Sequence, residues 1–207
     1  MQNILITGIT SGIGHHLAIN LSNENHITGV GRREKPDIQN INYIKGNIRD
    51  LKTLHEIEKS KESYDFVIIN AGVGYFDEFK NINLDQNKEI IETNLLSPIL
   101  LTNILICENK IKKGIIFIGS VVGKKSMKFG ASYGASKFGL RGFAMQLKNE
   151  LTKLSIHIIN PKIVKTEFHK NSKIEVHGKY KETSLDDILQ TIVDIISQKE
   201  KRFEIDL

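Results

Sequence analysis

Several features that mark whole classes of protein are absent from this 207-residue chain. Its single cysteine, Cys107, excludes an intrachain disulfide and is typical of a reducing cytoplasm. No apolar run approaches the roughly 20 residues that a membrane-spanning helix needs. The N-terminus also lacks the basic region and hydrophobic stretch of a signal peptide. We therefore expect a cytoplasmic protein that does not enter a membrane, with Cys107 as a buried structural thiol in an apolar helix.

The patterns typical of metal sites and of nucleic-acid binding are missing as well. The seven histidines show no metal-ligand spacing, and no nucleic-acid motif or aromatic-interleaved basic stripe is present. The formal net charge is +5, and residues 161–181 hold six lysines against two glutamates. Such a segment is either a solvated loop or a surface that attracts phosphorylated or acidic partners. We expect no metal and no nucleic-acid partner.

Strand-like and helix-like segments alternate along the chain, a pattern that predicts a parallel sheet with helices on both faces. The length suits one α/β domain over residues 1–207. We predict strands over residues 2–7, 26–31, 41–45, 65–70, 114–119, 155–160 and 202–206, and helices over residues 13–24, 51–61, 84–108, 131–153 and 185–197. Gly8, Asn70 and Ser120 stand at the carboxyl ends of predicted strands, where such sheets bind cofactors.

The first predicted strand runs directly into a glycine-rich turn. Gly8, Gly12 and Gly14 stand in the sequence TGITSGIG, and a helical pattern begins at Ile13. Glycines in such a turn let the backbone approach a pyrophosphate, whose charge the helix N-terminus favours. The alternative is an ordinary strand-to-helix turn. The strand before the glycines and the helix after them favour the phosphate site.

Tyr133 is followed four residues later by Lys137, and Ser120 lies thirteen residues before Tyr133. Four residues is about one helical turn, so the phenol and the ammonium can share a helix face. A free tyrosine has a pKa of about 10, and a neighbouring cation favours the phenolate. We therefore expect Lys137 to lower the pKa of Tyr133 and make it an acid/base. The same spacing also occurs on exposed helix faces.

Together, these patterns resemble the short-chain dehydrogenase/reductase family. They are TGITSGIG at 7–14, Asn-Ala-Gly at 70–72, Asn94, Ser120, Tyr133 with Lys137, and Asn-Pro at 160–161. The resemblance covers residue 2 to about 166 and implies a Rossmann-like, doubly wound domain with a mainly parallel seven-stranded sheet of order 3-2-1-4-5-6-7. It also implies hydride transfer between a nicotinamide and a carbonyl or alcohol, a homodimer or homotetramer, and a short substrate lid over residues 167–184.

The end of the second predicted strand indicates which dinucleotide binds. An acidic residue usually holds the adenosine 2′-hydroxyl there, but Gly31 occupies that position and Arg32 follows. An arginine can bind a 2′-phosphate through charge-assisted hydrogen bonds, so we expect NADP(H) in preference to NAD(H). By resemblance, the cofactor-binding residues are Gly8, Thr10, Ser11, Gly12, Ile13, Gly14, Arg32, Arg33, Asn47, Ile48, Asn70, Ala71, Gly72, Tyr133, Lys137, Pro161, Val164 and Thr166. Lys162 departs from the family, in which a glycine usually follows the proline.

The catalytic residues that the resemblance implies are Asn94, Ser120, Tyr133 and Lys137. Ser120 would hydrogen-bond the carbonyl oxygen as negative charge builds there, Tyr133 would give the proton, and Lys137 would bind the nicotinamide ribose. Pro98 has no N–H, so the carbonyl of Asn94 loses its usual partner four residues on. That carbonyl either anchors a water that links Lys137 to solvent, as in relatives, or marks a simple helix kink.

Two other functions stay open. One is reduction of a 3-oxoacyl group on a carrier protein, whose acidic surface the lysines would suit. The other is a nucleotide-binding sensor without catalysis, although such proteins commonly lose the tyrosine or the lysine that this chain retains. For the substrate pocket we expect an apolar wall formed by Phe76, Met127, Phe129 and Phe168; the alternative is that each of them is a core residue.

Overall fold

One sheet of seven parallel strands lies at the centre of the protein, whose computed structural model describes residues 1–169 and 181–207. The strands are β1 (Asn3–Thr7), β2 (His26–Gly31), β3 (Ile41–Lys45), β4 (Tyr64–Ile69), β5 (Ile111–Ile118), β6 (Ser155–Asn160) and β7 (Glu204–Asp206). Their order across the sheet is β3-β2-β1-β4-β5-β6-β7, and neighbouring strands are parallel. The predicted doubly wound order is confirmed.

Helices cover both faces of the sheet. In the described part of the chain they are α1 (Gly12–Leu21), α2 (Leu51–Lys59), α3 (Leu84–Ile91), α4 (Ser97–Cys107), α5 (Ala131–Glu150) and α6 (Leu185–Ile196). Apolar side chains of α1 and α6 pack on one face of the sheet. Those of α2, α4 and α5 pack on the other. The strands are therefore buried on both sides, which explains their nearly continuous apolar sequences.

The segment predicted as one helix over residues 84–108 is interrupted in its middle. Residues Glu92–Leu96 form a π-helical turn between α3 and α4. The N–H of Ser97 donates to the carbonyl of Glu92 five residues back, and its hydroxyl donates to the same oxygen at 2.6 Å. Pro98, which has no N–H to continue an α-helical ladder, lies within the first turn of α4. The interruption therefore contains Asn94 and ends two residues before the proline.

The prediction for Cys107 was wrong. The residue is the last of α4, and its side chain is exposed rather than buried. An apolar helix buries only the face that packs on the sheet, here with Leu101 and Leu105, and Cys107 lies outside that face.

The stretch Leu84–Cys107 is long and apolar enough to cross a membrane by length and composition alone. However, 44% of its most apolar window is buried inside the protein, and its buried residues include Leu101 and Leu105 beneath the sheet. This is how a core helix of an α/β domain packs. Most of the predicted lid, 167–184, lies outside the described residues, which include only 167–169 and 181–184 of it.

The carboxyl ends of β1, β4, β5 and β6 meet at one edge of the sheet. The turns that follow them begin with Gly8, Asn70, Gly119 and Pro161. Parallel strands that are adjacent in a sheet bring such turns together, and ligands of open α/β sheets bind there.

Candidate active site

The turn between β1 and α1 has a backbone that only glycine adopts without strain. Gly8 has a φ of +78° and Gly12 a φ of +58°. Gly14 is required for a different reason, since a Cβ there would lie 2.3 Å from the carbonyl oxygen of Gly8. Ser11 precedes α1 in an extended conformation, and its side chain does not cap the helix. The first N–H groups of α1 are therefore available to an anion.

A hydrogen-bonded frame holds the loop after β4. The hydroxyl of Thr7 accepts from the backbone N–H groups of Asn70 and Ala71, each at 3.0 Å. The side-chain amide of Asn70 donates to the carbonyls of Thr7 and Gly8, at 2.9 and 3.3 Å. Thr7 begins the TGITSGIG motif but was not predicted as a site residue, because the motif does not show that its hydroxyl meets the loop after β4. Its role follows from the adjacency of β1 and β4.

Asn94 supports the same loop from the π-helical turn. It is 1% exposed, and its amide oxygen accepts from the N–H of Val73 while its amide nitrogen donates to the Val73 carbonyl, both at 2.8 Å. The amide nitrogen also donates to the Ser136 hydroxyl at 3.1 Å. The side chain of Asn94 thus joins α5, which carries Ser136, to the loop after β4.

Tyr133 and Lys137 lie in the first turns of α5 and face the end of β5. They are 8% and 6% exposed, and the Lys137 Nζ donates to the carbonyl of Ile118 at 2.9 Å. That ammonium lies 5.8 Å from the centre of the Tyr133 ring. Ser120 follows β5, is 8% exposed, and hydrogen-bonds the Tyr133 phenol. The three predicted side chains therefore meet at one buried point.

The expected effect of Lys137 on Tyr133 is not what these residues produce. Burial raises the pKa of Tyr133 to about 12, and the hydrogen bond with Ser120 only partly opposes it. Burial also lowers the pKa of Lys137 to about 8. The prediction of a lowered tyrosine pKa considered the charge of the neighbour and not the desolvation of both groups. Around neutral pH the phenol consequently keeps its proton.

Aromatic rings surround the Tyr133 side chain. The ring of Phe76 lies 5.1 Å from that of Tyr133, and the ring of Phe168 lies 5.7 Å from it, between centroids. Phe76 and Phe168 are 6.1 Å apart. Gly74 permits this packing, since a Cβ there would come within 3 Å of both phenylalanine rings. The wall beside the phenol is therefore apolar and is formed by aromatic rings.

The loop after β2 contains two arginines and no acidic side chain next to the strand. A Cβ on Gly31 would lie 2.5 Å from Thr10 Cγ2 and 2.9 Å from the Tyr43 hydroxyl, so these side chains fill the space that an acidic residue would need. The Arg32 guanidinium forms a 2.8 Å ion pair with Glu89 of α3. This contact joins residues 57 positions apart, and the sequence pattern gave no sign of it.

Most of the residues described above line one cleft of about 910 Å³. The predicted site residues in its wall are Gly8, Thr10, Ser11, Gly12, Ile13, Arg32, Arg33, Asn47, Ile48, Asn70, Ala71, Gly72, Ser120, Tyr133, Lys137, Pro161, Val164 and Thr166. The four residues of the expected apolar wall, Phe76, Met127, Phe129 and Phe168, also line it. Gly14 and Asn94 do not line the cleft. Gly14 packs against the Gly8 backbone, and the Asn94 side chain hydrogen-bonds the backbone of Val73.

The residues of this cleft fit a dinucleotide. The uncapped start of α1 suits a pyrophosphate, and the two left-handed glycines bring the backbone close to it. Thr166, in the loop after β6, lies across the turn, where a Cβ on Gly12 would be 3.5 Å from its side chain. The cleft continues from there to Tyr133 and Lys137. Its volume and lining residues suit a nicotinamide dinucleotide with a carbonyl compound beside it.

Comparisons with known proteins agree with this geometry. The family model described as short chain dehydrogenase matches residues 2–176. The chain is 32% identical over 197 residues to a 3-oxoacyl-acyl-carrier-protein reductase from Buchnera aphidicola, covering 86% of this chain and 80% of that protein. It is 28% identical over 199 residues to an NADP-dependent 3-hydroxy acid dehydrogenase from Schizosaccharomyces pombe, covering 86% and 76%.

A solved structure of 4-hydroxyisoleucine dehydrogenase complexed with NADH superposes with a TM-score of 0.84 at 25% identity, covering 100% of this chain and 97% of that one. The matched region includes the glycine turn, the serine, the tyrosine and the lysine described above. The chain belongs to the short-chain dehydrogenase family and is an oxidoreductase that acts on hydroxyl or keto groups with a nicotinamide dinucleotide.

Proposed function

We propose that this protein is an NADP(H)-dependent carbonyl reductase in which Tyr133 gives the proton to the product alcohol. The observation that carries the proposal is the buried meeting point of Ser120, Tyr133 and Lys137 at one end of the cleft that begins at the glycine turn. The bound nicotinamide would supply the hydride. The chain must then orient the carbonyl, stabilise its oxygen and deliver one proton.

Each of the three side chains has a separate task in this proposal. Ser120 donates a hydrogen bond to the carbonyl oxygen as negative charge develops on it. Tyr133 then transfers its phenolic proton to that oxygen. Lys137, held by the Ile118 carbonyl at 2.9 Å, offers its remaining N–H donors to the ribose of the cofactor. The Phe76 and Phe168 rings exclude water from the phenol.

The titration of Tyr133 favours the reductive direction. Because burial raises its pKa to about 12, the phenol carries the proton that reduction needs throughout the neutral range. Oxidation of an alcohol would need the phenolate, and less of that form is present at the same pH. A rate of alcohol oxidation that exceeds carbonyl reduction at pH 7, at matched cofactor saturation, would contradict this direction.

The preference for NADP(H) is supported by the end of β2. The cleft is lined there by Arg32 and Arg33, and Gly31, which carries no acidic group, is crowded by the side chains of Thr10 and Tyr43. A thermal shift with NADPH and NADH at equal concentration tests this preference. We expect the larger stabilisation with NADPH, and a larger shift with NADH would contradict it.

A second candidate function is reduction of a 3-oxoacyl thioester on a carrier protein. Lys125, Lys128, Lys162 and Lys181 line the cleft, and none of them forms an ion pair with a residue that the structure describes. The only acidic side chain in the described lining is Glu167. The Buchnera aphidicola relative carries this activity in its name. A preference of more than tenfold in kcat/KM for the carrier-bound thioester over the same acyl group on N-acetylcysteamine would favour it.

Turnover of NADPH across aldehydes, ketones, quinones and 3-oxoacyl thioesters separates these functions from a sensor. Consumption with any of them supports the reductase, and the preferred group names its substrate class. Tight NADPH binding without consumption in the whole panel would favour a non-catalytic, nucleotide-binding role.

We also propose a homodimer or homotetramer. Three large apolar side chains remain exposed on the π-helical turn and α5, which pack against each other. They are Leu96, Phe138 and Met145, at 44%, 48% and 39% exposure. A second copy of the chain would cover this surface.

A further inference from the structure

Glu89 holds the arginine on which the proposed cofactor preference depends. Its Oε1 accepts from Arg32 Nη1 at 2.8 Å, and its Oε2 accepts from the Tyr75 hydroxyl at 2.7 Å. Both carboxylate oxygens are thus engaged, and the Glu89 side chain is only 17% exposed. Arg32 is 56% exposed. The partly buried acid therefore fixes the direction of a side chain that would otherwise move freely in solvent.

The acid lies behind the cleft and its partners lie in the wall. Arg32 and Tyr75 line the cleft, whereas Glu89 is on α3 and does not. Only Nη1 of Arg32 is bonded within the described part of the chain, so Nε and Nη2 stay available to a ligand. An anion that binds Arg32 from the cleft side would also be repelled by the carboxylate of Glu89, which lies on the other side of the guanidinium.

Glu89 is ionised at neutral pH. Burial alone would raise the pKa of its carboxyl, but the hydrogen bonds from Tyr75 and Arg32 together hold that pKa below its ordinary value. The pair Arg32–Glu89 is therefore close to neutral as a unit. Arg33 and Lys35 are then the cations of this loop for which the described residues provide no ion pair, and of these two only Arg33 lines the cleft.

We propose that Glu89 is a positioning residue that limits how strongly the protein prefers a 2′-phosphorylated dinucleotide. It fixes one edge of the Arg32 guanidinium at the cleft wall and offsets part of its charge. This inference rests on the proposed NADP(H) function, because it concerns the same arginine. Removing the charge of Glu89 while keeping its shape should strengthen binding of the 2′-phosphate and leave the rest of the dinucleotide unaffected.

A second ion pair, at the junction of α3 and the π-helical turn, provides a matched control. Glu92 follows Glu89 by three residues and forms ion pairs with Arg49 at 3.2 Å and with Lys88 at 3.7 Å. The Arg32–Glu89 and Arg49–Glu92 pairs both join the α3 region to loops at the carboxyl ends of β2 and β3. Arg49, unlike Arg32, does not line the cleft. Loss of the Glu92 charge should therefore leave discrimination at the 2′ position unchanged.

The test compares two small ligands that differ only in the 2′-phosphate, adenosine 2′,5′-bisphosphate and adenosine 5′-monophosphate. Their dissociation constants are measured by calorimetry for the wild type, Glu89→Gln, Glu92→Gln and Arg32→Gln. For Glu89→Gln we expect about tenfold tighter binding of the bisphosphate, from the Coulomb energy of a doubly charged group several ångströms from a lost charge. The monophosphate should change by less than about twofold, and Glu92→Gln should match the wild type for both ligands.

The deciding quantity is the dissociation constant of the monophosphate divided by that of the bisphosphate. If this ratio is unchanged or smaller in Glu89→Gln, the inference is overturned. A parallel change for both ligands, which indicates structural damage, would overturn it as well. Glu89→Asp, which keeps the charge, should retain the wild-type ratio. Arg32→Gln reports on the cofactor proposal separately. If it does not weaken the bisphosphate relative to the monophosphate, the NADP(H) preference fails. If it does and Glu89→Gln has no effect, only the role of Glu89 fails.

Discussion

At the scale of single residues, Tyr133 and Lys137 show how burial changes the meaning of a sequence spacing. The four-residue interval correctly predicted that the two side chains share one face of α5. It could not predict the direction of the tyrosine pKa, because the burial that raises it involves Phe76 and Phe168, which come from other elements. Burial within the chain keeps the phenol protonated and lowers the pKa of the lysine.

The buried lysine makes stability depend on pH in a way that can be measured. Burial lowers the Lys137 pKa to about 8 from 10.5, so between these values the folded protein binds fewer protons than the unfolded chain. The free energy of unfolding from this group therefore rises with pH across that window, and below pH 8 the buried charge costs about 3 kcal/mol. We expect Lys137→Met to be more stable than the wild type at pH 7 by about 2 kcal/mol, after about 1 kcal/mol is subtracted for the lost bond to Ile118.

Urea unfolding at pH 7 and pH 9.5 checks this expectation. The stability difference between Lys137→Met and the wild type should shrink by about 2 kcal/mol between the two pH values. Tyr133 does not confuse the comparison, since its raised pKa lowers stability only above about pH 10. A difference that is the same at both pH values would show that the lysine is not desolvated as described.

At the scale of elements, the glycine turn and the strands that flank it were predictable because their signals are local. The apolar strand, the glycines and the helical periodicity of α1 occupy consecutive positions. The division of residues 84–108 into α3, a π-helical turn and α4 was only partly predictable. Pro98 indicated a lost hydrogen bond, but the bonds from Asn94 to Val73 and Ser136 span 21 and 42 residues. The partners of such contacts are set by the tertiary fold.

The close approach of Gly14 to Gly8 predicts a severe effect of a single methyl group. A Cβ on residue 14 would lie 2.3 Å from the Gly8 carbonyl oxygen and 2.4 Å from Asn70 Nδ2. The Gly8 backbone cannot shift freely, because its N–H donates a hydrogen bond to the Val30 carbonyl at 2.8 Å. We expect Gly14→Ala to destabilise the protein by about 2 kcal/mol and to weaken dinucleotide binding more than tenfold, measured by unfolding and calorimetry.

Gly142 provides the matched control for that substitution. It lies in α5, and a Cβ there meets no atom within 4 Å. Gly142→Ala should therefore stabilise the protein by about 0.5–1 kcal/mol through helix propensity alone and leave dinucleotide binding unchanged. Equal effects of the two substitutions would mean that the turn tolerates a side chain at residue 14.

Pro98 allows a test of the proposed proton path through Asn94. In Pro98→Ala the new N–H can pair with the Asn94 carbonyl, which then has less capacity to hold a water for Lys137. We expect kcat for carbonyl reduction to fall about fivefold, the equivalent of about one hydrogen bond, with the dissociation constant of the cofactor unchanged. Unchanged kcat and an unchanged pH profile would identify the proline as a structural kink only.

At the scale of the whole molecule, the sequence correctly predicted the parallel order of the sheet and the edge where the cleft forms. It did not reveal which apolar side chains of the long helices stay exposed. Phe138→Asp tests whether the exposed surface of α5 joins copies of the chain. We expect it to convert the assembly to monomers in light scattering, because an unpaired carboxylate in an apolar interface is costly. Leu51→Asp, at a residue that is 57% exposed on α2, should leave the assembly intact, and a monomeric wild type would contradict the proposal.

The central claim, that Tyr133 gives the proton in NADPH-linked reduction of a carbonyl, is tested most directly by the rate of NADPH consumption in Tyr133→Phe. The substrate is the best carbonyl compound of the panel, and NADPH binding is measured on the same preparation. The phenylalanine keeps the ring contacts with Phe76 and Phe168 and loses the transferable proton. We predict a fall in kcat of about a thousandfold or more, with NADPH affinity within about threefold of the wild type. Turnover that survives in Tyr133→Phe would contradict the assignment.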